Sequence, residues 1–216
     1  MHPLFEYDLV IFDCDGVILD ANQLKIAAME RAVLKHGFSV SEAADCKQYF
    51  SENFGKSRFH HVRYFVENIL PVQPSSAEEV YQSIIDEFAA QCRESYADAP
   101  ITPGFEVMLN KLTDKKAVAS GSEQQELRAL FANRGMSQHY ENILGSPTAK
   151  NDNVATLLAE IPHSRAVMVG DAVADYEAAQ ANGIDFIAYV PYSNVPKRMK
   201  ALAAEQNFPC LDEWPR

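Results

Sequence analysis

The feature that most constrains this chain is an alternation of two periods. Five short runs of β-branched and other apolar residues, Leu9 to Phe12, Ala117 to Ala119, Ile143 to Leu144, Ala166 to Val169 and Phe186 to Val190, have the length and composition of buried strands. Helical patterns separate the later four, over Glu123 to Asn133, Asp152 to Glu160 and Asp175 to Ala181. Gly135, Pro162 and Gly183 stand where such helices stop. Strand, helix and strand in succession imply parallel βαβ units, because parallel neighbours need a crossover between them. The expected fold is α/β, a doubly wound parallel Rossmann-like sheet with helices on both faces.

The interval between the first and second runs breaks this rhythm. From about Ala21 to Asp98 there are helical patterns and no convincing strand. Gln23 to Lys35 ends at Gly37, Ser41 to Asn53 precedes Gly55, Arg58 to Ile69 stops before Pro71, and Ala77 to Ser95 follows a Pro/Ser linker. Phe59, Val62, Val66 and Ile69 fall on one stripe of the third helix. The division expected is a core of residues 1–20 and 99–216 with a helical subdomain inserted over 21–98. A length of 216 residues suits one core domain with a modest insertion, at ~150 residues per domain.

Thirty acidic against nineteen basic residues leave a formal charge of −11. That field repels phosphate backbones at long range, so nucleic acid is not an expected partner, although a local basic pocket can still hold one small anion. The longest apolar runs fall far short of the ~18 residues that span a bilayer. Met1 to Asp8 contains Glu6 and Asp8 and lacks the pattern of a secretory signal. No membrane partner is expected, and the cytoplasm is the expected location. Cys14, Cys46, Cys92 and Cys210 form no C-x-x-C pair and no cluster with histidine, which indicates reduced thiols rather than zinc ligands or disulfides.

The first strand runs into Asp13, Cys14, Asp15 and Gly16. Alternation along an extended chain predicts that Asp13 and Asp15 point to one side at the strand's carboxyl end. Two carboxylates held together repel unless a cation or a shared proton compensates, which implies either Mg²⁺ or an acid/base division of labour. The fourth strand likewise runs into Gly170, Asp171 and Asp175. Asp175 is either a helix N-cap or a ligand. In a doubly wound sheet the first strand is central and ligands bind where connections diverge beside it. If strand four neighbours strand one there, Asp13, Asp15 and Asp171 converge on one cation. Ser120 ends the second strand before Gly121, which permits close approach of a bound anion. Ser122, three residues before Gln125, fits the N-cap of a capping box. Lys150 is expected in a loop after the third strand, either solvated or part of the anion site.

Together these four segments resemble the haloacid dehalogenase superfamily of phosphotransferases. Asp13 and Asp15 match its D-x-D motif, Ser120 its Ser/Thr motif, Lys150 its lysine motif, and Gly170, Asp171 and Asp175 its G-D-x-x-x-D motif. The helical insertion is similar to the α-helical cap of the subfamily containing β-phosphoglucomutase and phosphoglycolate phosphatase. Ala172 and Asn151 depart from the pattern, standing where Ser/Thr and Pro are frequent. The resemblance implies a Mg²⁺-dependent phosphomonoester hydrolase with Asp13 as nucleophile and Asp15 as general acid/base. Ser120 and Lys150 are implied to hold the phosphoryl oxygens. Its implied metal set is Asp13, Asp171 and the Asp15 backbone carbonyl, with Asp175 as a water-mediated ligand or as the partner of Lys150. Dehalogenases and phosphonatases generally lack the second aspartate, so Asp15 points to phosphate esters. A sugar phosphomutase and a non-catalytic phospholigand-binding module are the alternatives.

Gly16, Gly121, Gly55, Lys56, Arg58 and His60 are the expected substrate-binding residues. The segment Asn53 to Arg58 is the break that faces the active site in similar caps, and Lys56, His60 and Arg63 share one helical face. That face is either a solvated surface or a cationic lid over a small phosphorylated metabolite such as a sugar phosphate. The chain is expected to be a monomer, with a dimer left open.

Overall fold

β1 (Leu9–Phe12) is apolar and buried at every position, as a strand covered on both faces must be. A computed structural model describes residues 2–96, 98–112 and 115–215 of the chain. Ala97 of the expected insertion, and Met1, Thr113, Asp114 and Arg216 of the expected core, lie outside the described residues. The sheet has the order β3-β2-β1-β4-β5-β6 with every pairing parallel. Its other strands are β2 (Lys115–Glu123), β3 (Asn142–Ser146), β4 (Ala166–Gly170), β5 (Asp185–Tyr189) and β6 (Cys210–Leu211).

Side chains of β1 alternate between two cores. Val10 and Phe12 pack with Val118, Val169 and Trp214 on one face, where α5 (Phe105–Leu109) and α6 (Gln124–Asn133) lie. Leu9 and Ile11 pack with Ala119 and Met168 on the other, under α7 (Lys150–Glu160), α8 (Val173–Ala181) and α9 (Pro196–Gln206). The five expected strands are present, β2 being longer at both ends. β6 and α5 are too short to carry a periodic signal, and α9 buries only Met199 and Ala203, so its apolar pattern is weak.

Four α-helices intervene between β1 and α5: α1 (Asn22–Lys35), α2 (Val40–Glu52), α3 (Arg58–Tyr64) and α4 (Ala77–Tyr96). They form an inserted α-helical cap with its own core, which includes Met29, Phe50, Phe65, Ile84 and Phe88. The helix expected over Arg58 to Ile69 is α-helical only to Tyr64. Phe65–Ile69 continues with π geometry, closed by Leu70 N donating to Phe65 O at 2.8 Å. Of the expected stripe Val62 and Val66 are buried and Phe59 and Ile69 half-buried against the same core, which Phe65 joins. The chain leaves and re-enters the core along paired connectors: Asp20 N donates to Pro100 O at 2.8 Å and Thr102 N to Ile18 O at 2.9 Å.

Trp214, the chain's one tryptophan, closes the first core. It stacks on Tyr189 at 4.1 Å, and its Nε1 donates to Thr102 Oγ1 at 3.0 Å. Trp214→Ala leaves a large cavity and is expected to lower stability by ~3–5 kcal/mol. Urea denaturation followed by circular dichroism checks this; a loss below 1 kcal/mol contradicts the packing described.

Candidate active site

The register of β1 against β4 pairs Phe12 with Val169, and Asp13 N donates to Val169 O at 2.9 Å. Asp13 and Asp171 are thereby delivered to adjacent strand ends at the switch point. Carboxylate oxygens of Asp13, Asp171 and Asp175 lie within 4.8 Å of one another, and all three residues are buried. The expected convergence of Asp13 and Asp171 is present, but the third carboxylate of the cluster is Asp175, not Asp15. The reason is local: β1 ends at Phe12 and the chain turns at Gly16, whose φ is 77°, so strand alternation no longer applies at Asp15. A Cβ at Gly16 would lie 2.3 Å from Asp171 Oδ2 and 2.5 Å from Asn22 Nδ2. Gly16 therefore admits the 2.7 Å bond from Asn22 Nδ2 to Asp171, a different role from the expected substrate contact.

Asp15 occupies a separate network. Its carboxylate accepts from Lys25 Nζ at 2.5 Å, from Ser122 Oγ at 2.9 Å and from the Tyr96 hydroxyl. Burial and the Asp15 charge hold Tyr96 well above its ordinary pKa, so it stays a donor. Ser122 is thus a partner of Asp15. The N-cap of α6 is Glu123, whose carboxylate accepts from Gln125 N and Glu126 N, because β2 continues irregularly past Ser120. Ser120 is buried, and its Oγ accepts from Ser122 N at 3.2 Å.

Lys150, expected in a loop, is the first residue of α7. Its Nζ lies 3.1 Å from Asp13 Oδ1 and donates to Asp175 Oδ1. The other Asp175 oxygen accepts from Asp171 N and Ala172 N, each at 3.0 Å, which caps α8 from its third position. Of the alternatives for Asp175, the direct contact is with Lys150. Burial pushes Asp13 up to about 7, against the pull of Lys150 and with the help of Asp175 and Asp15. Burial also raises Asp171, as do Asp175 and Asp13. Burial alone would lower Lys150, but Asp13 and Asp175 outweigh it and hold its pKa above the ordinary value. Asp13 Oδ1 and Asp171 Oδ1 are buried with no hydrogen-bond partner. Oxygen donors that face one another without partners fit a hard divalent cation such as Mg²⁺.

The cap closes over this cluster. A Cβ at Gly121 would lie 2.6 Å from Gly55 O and 2.9 Å from Lys56 O, so the cap loop rests on the core loop at a place only glycine allows. Gly55, Lys56, Arg58 and Gly121 line the cleft at Asp13. His60 does not; it lines a neighbouring groove with Lys150 and Asn151, and its Nε2 meets the Tyr49 hydroxyl at 3.2 Å. Arg63 is drawn to Glu78 at 2.9 Å and lies over the Tyr81 ring, so the expected cationic face divides. Lys25, Asn22, Tyr96, Ser122 and Glu126 are the site residues that motif reasoning did not assign. Lys25 had a signal: a lysine one helical turn into α1 is buried on the side that carries Ile26 and Met29.

A carboxylate cluster at the switch point of a parallel sheet, under a helical insertion, defines a doubly wound α/β protein with a capped acidic site. The chain belongs to the haloacid dehalogenase-like hydrolase family, whose model matches residues 10–189. It is 28% identical over 191 residues to the tyrosine-protein kinase PtkA of Mycobacterium tuberculosis, covering 83% of this chain and 60% of PtkA. The chain thus spans about 60% of the length of the curated relatives it matches. The solved PtkA structure superposes with a TM-score of 0.64 at 27% identity, covering 85% of this chain and 83% of that one. In fold, the chain is similar to the "predicted phosphatase" of Clostridium acetobutylicum (TM-score 0.74, 17% identity, 94% and 93% covered). It is similar also to CbbY of Rhodobacter sphaeroides in complex with xylulose-1,5-bisphosphate (TM-score 0.70, 17% identity, 96% and 95% covered). Among the described residues no helix is long and apolar enough to cross a membrane.

The buried acids generate a pH-dependent outcome. Asp13 has a folded pKa of about 7 against an ordinary 3.8, so between these values the folded chain keeps a proton that the unfolded chain releases. The Asp13 contribution to metal-free stability therefore falls as pH rises from about 4 to about 7. Below about pH 7 protons compete with a cation for folded Asp13. Added Mg²⁺ is expected to raise Tm more at pH 8 than at pH 5.5, measured by differential scanning fluorimetry; equal increments contradict a cation site at Asp13.

Proposed function

We propose that this protein is a Mg²⁺-dependent phosphatase that hydrolyses a small phosphomonoester through a phosphoenzyme on Asp13. The observation that carries the reading is the division of the two aspartates: Asp13 faces the Lys150 ammonium at 3.1 Å, whereas Asp15 is held apart by Lys25, Ser122 and Tyr96. That division supports a reading in which one acid is the nucleophile and the other the proton carrier. Asp13 and Asp171 would hold Mg²⁺, with the Asp15 carbonyl completing the protein's share, and Asp175 fixing Lys150 and the loop behind them. The cation supplies charge neutralisation where anions crowd.

An Asp13 oxygen bonds to phosphorus as the bond to the leaving oxygen breaks, and Asp15 gives that oxygen a proton. Ionised Asp15 then takes a proton from a water whose oxygen attacks phosphorus. The bond from phosphorus to Asp13 breaks, releasing inorganic phosphate. Lys150 and Ser120 hold the equatorial oxygens, where charge gathers in the transition state. Residues 21–98 act as the cap that excludes bulk water, and the Gly55–Gly121 contact supports this reading. The substrate is a small phosphorylated metabolite, a class that includes the bisphosphate bound by CbbY. The reading places the protein in the cytoplasm as a monomer, in keeping with four free cysteines.

Asp13→Asn is expected to lower kcat by at least ~10³, about 4 kcal/mol of barrier, with circular dichroism unchanged. Near-normal turnover by the folded variant removes Asp13 as nucleophile. Asp15→Asn is expected to cost ~10²–10⁴ on alkyl phosphates and less on an aryl phosphate, whose leaving group scarcely needs a proton. Equal losses on both substrate types, in steady-state assays, contradict the proton-carrier role.

A further inference from the structure

This inference rests on the phosphatase reading and concerns what the leaving group is. The cleft at Asp13 is lined by three cations, Lys25, Lys56 and Arg58, and by three phenylalanines, Phe50, Phe54 and Phe88. Three cations would suit a substrate with a second anionic group, but two of them are already neutralised. Lys25 is bound to Asp15 and Ser122. Arg58, whose side chain is 6% exposed, places NH1 and NH2 on the two carboxylate oxygens of Glu126 in α6, and its guanidinium lies 5.1 Å from the centre of the Phe88 ring. Arg93 approaches the same carboxylate at 3.5 Å. Lys56 is exposed.

A bidentate carboxylate fills the planar fork that a substrate carboxylate or second phosphate would need. An incoming anion would have to displace Glu126 and leave its half-buried charge without Arg58. Past Arg58 the cleft adjoins a groove of about 520 Å³ at the seam of α4 and α6, whose walls include Cys92, Leu127, Ala129 and Leu130. That volume is in the range of small-molecule sites. Lys25, Arg58 and Ser122 line both spaces, so they stand between the Asp13 cleft, with its three phenylalanines, and this groove.

We propose that Glu126 is a specificity-determining residue: by occupying the Arg58 fork it turns the site against doubly anionic substrates and selects phosphomonoesters whose leaving group is uncharged and has an apolar face. The selection acts on the part of the substrate that lies away from the phosphoryl group.

The test compares 4-carbamoylphenyl phosphate with 4-carboxyphenyl phosphate, near-isosteres that differ by one charge. In Mg²⁺, the wild-type protein is expected to favour the carbamoyl ester in kcat/KM by about tenfold or more, roughly the effect of one lost or misplaced ionic contact. Glu126→Gln frees Arg58 and is expected to shrink that ratio by about tenfold; adding Arg58→Gln is expected to cancel the shift. Calorimetric binding of both esters to Asp13→Asn protein reads the same preference without turnover. Selectivity for the neutral ester without hydrolysis overturns the phosphatase reading alone. Hydrolysis with no preference, with preference for the carboxylate, or with a ratio indifferent to Glu126→Gln in a folded protein overturns the role of Glu126 alone. Neither binding nor hydrolysis of either ester overturns both.

Discussion

Three buried carboxylates share one small volume at the end of the central strand, and a single ammonium, that of Lys150, faces them. Left together they repel, and much of the local architecture manages that repulsion. Asp175 is held by two backbone amides and by Lys150, and Asp171 by Asn22. Asp13 and Asp171 each keep an Oδ1 without a hydrogen-bond partner, which suits both to a cation, and of these two it is Asp13 that lies against the Lys150 ammonium at 3.1 Å. Crowding that burdens the empty site becomes affinity for the ion and reactivity toward phosphorus once charge arrives.

The fold follows from the same placement. A sheet of order 3-2-1-4-5-6 opens its connections in opposite directions beside β1, and the residues just past β1, β2 and β4 look into the gap. The cap supplies the remaining wall. Its cross-boundary ties, Lys25 to Asp15 and Arg58 to Glu126, are ion pairs in which at least one partner is deeply buried. Closure and polarity of the site are therefore set by the same contacts.

What was legible in the sequence was whatever depends on strand ends. Asp13, Ser120 and Asp171 follow runs whose apolar character marks them as buried strands, and Lys150 lies at a helix start that the pattern placed only two residues late. The α/β class and the helical insertion followed from the alternation and from its interruption. What escaped were contacts between elements far apart in the chain: Glu126 meets Arg58 across 68 positions and Tyr96 meets Asp15 across 81. No local period encodes such a pairing. Asp15 was misplaced because the strand ends at Phe12, so alternation no longer governs it, and the π geometry over Phe65–Ile69 is one that an α period does not announce.

The paired connectors at the base of the cap have a consequence for how such a chain diverges. Ile18 and Asp20 are bonded to Thr102 and Pro100, so the insertion begins and ends at one place, and Thr102 is tied to the core through Val17 O at 2.6 Å and Trp214 Nε1. A segment with adjoining ends is topologically a loop, however large. The sheet keeps its order and register whatever hangs from that loop, and the helices above it are at liberty to be lengthened, repacked or exchanged. What such a change must keep is the few side chains that reach down from the insertion to the strand ends, Asn22 to Asp171 and Lys25 and Tyr96 to Asp15.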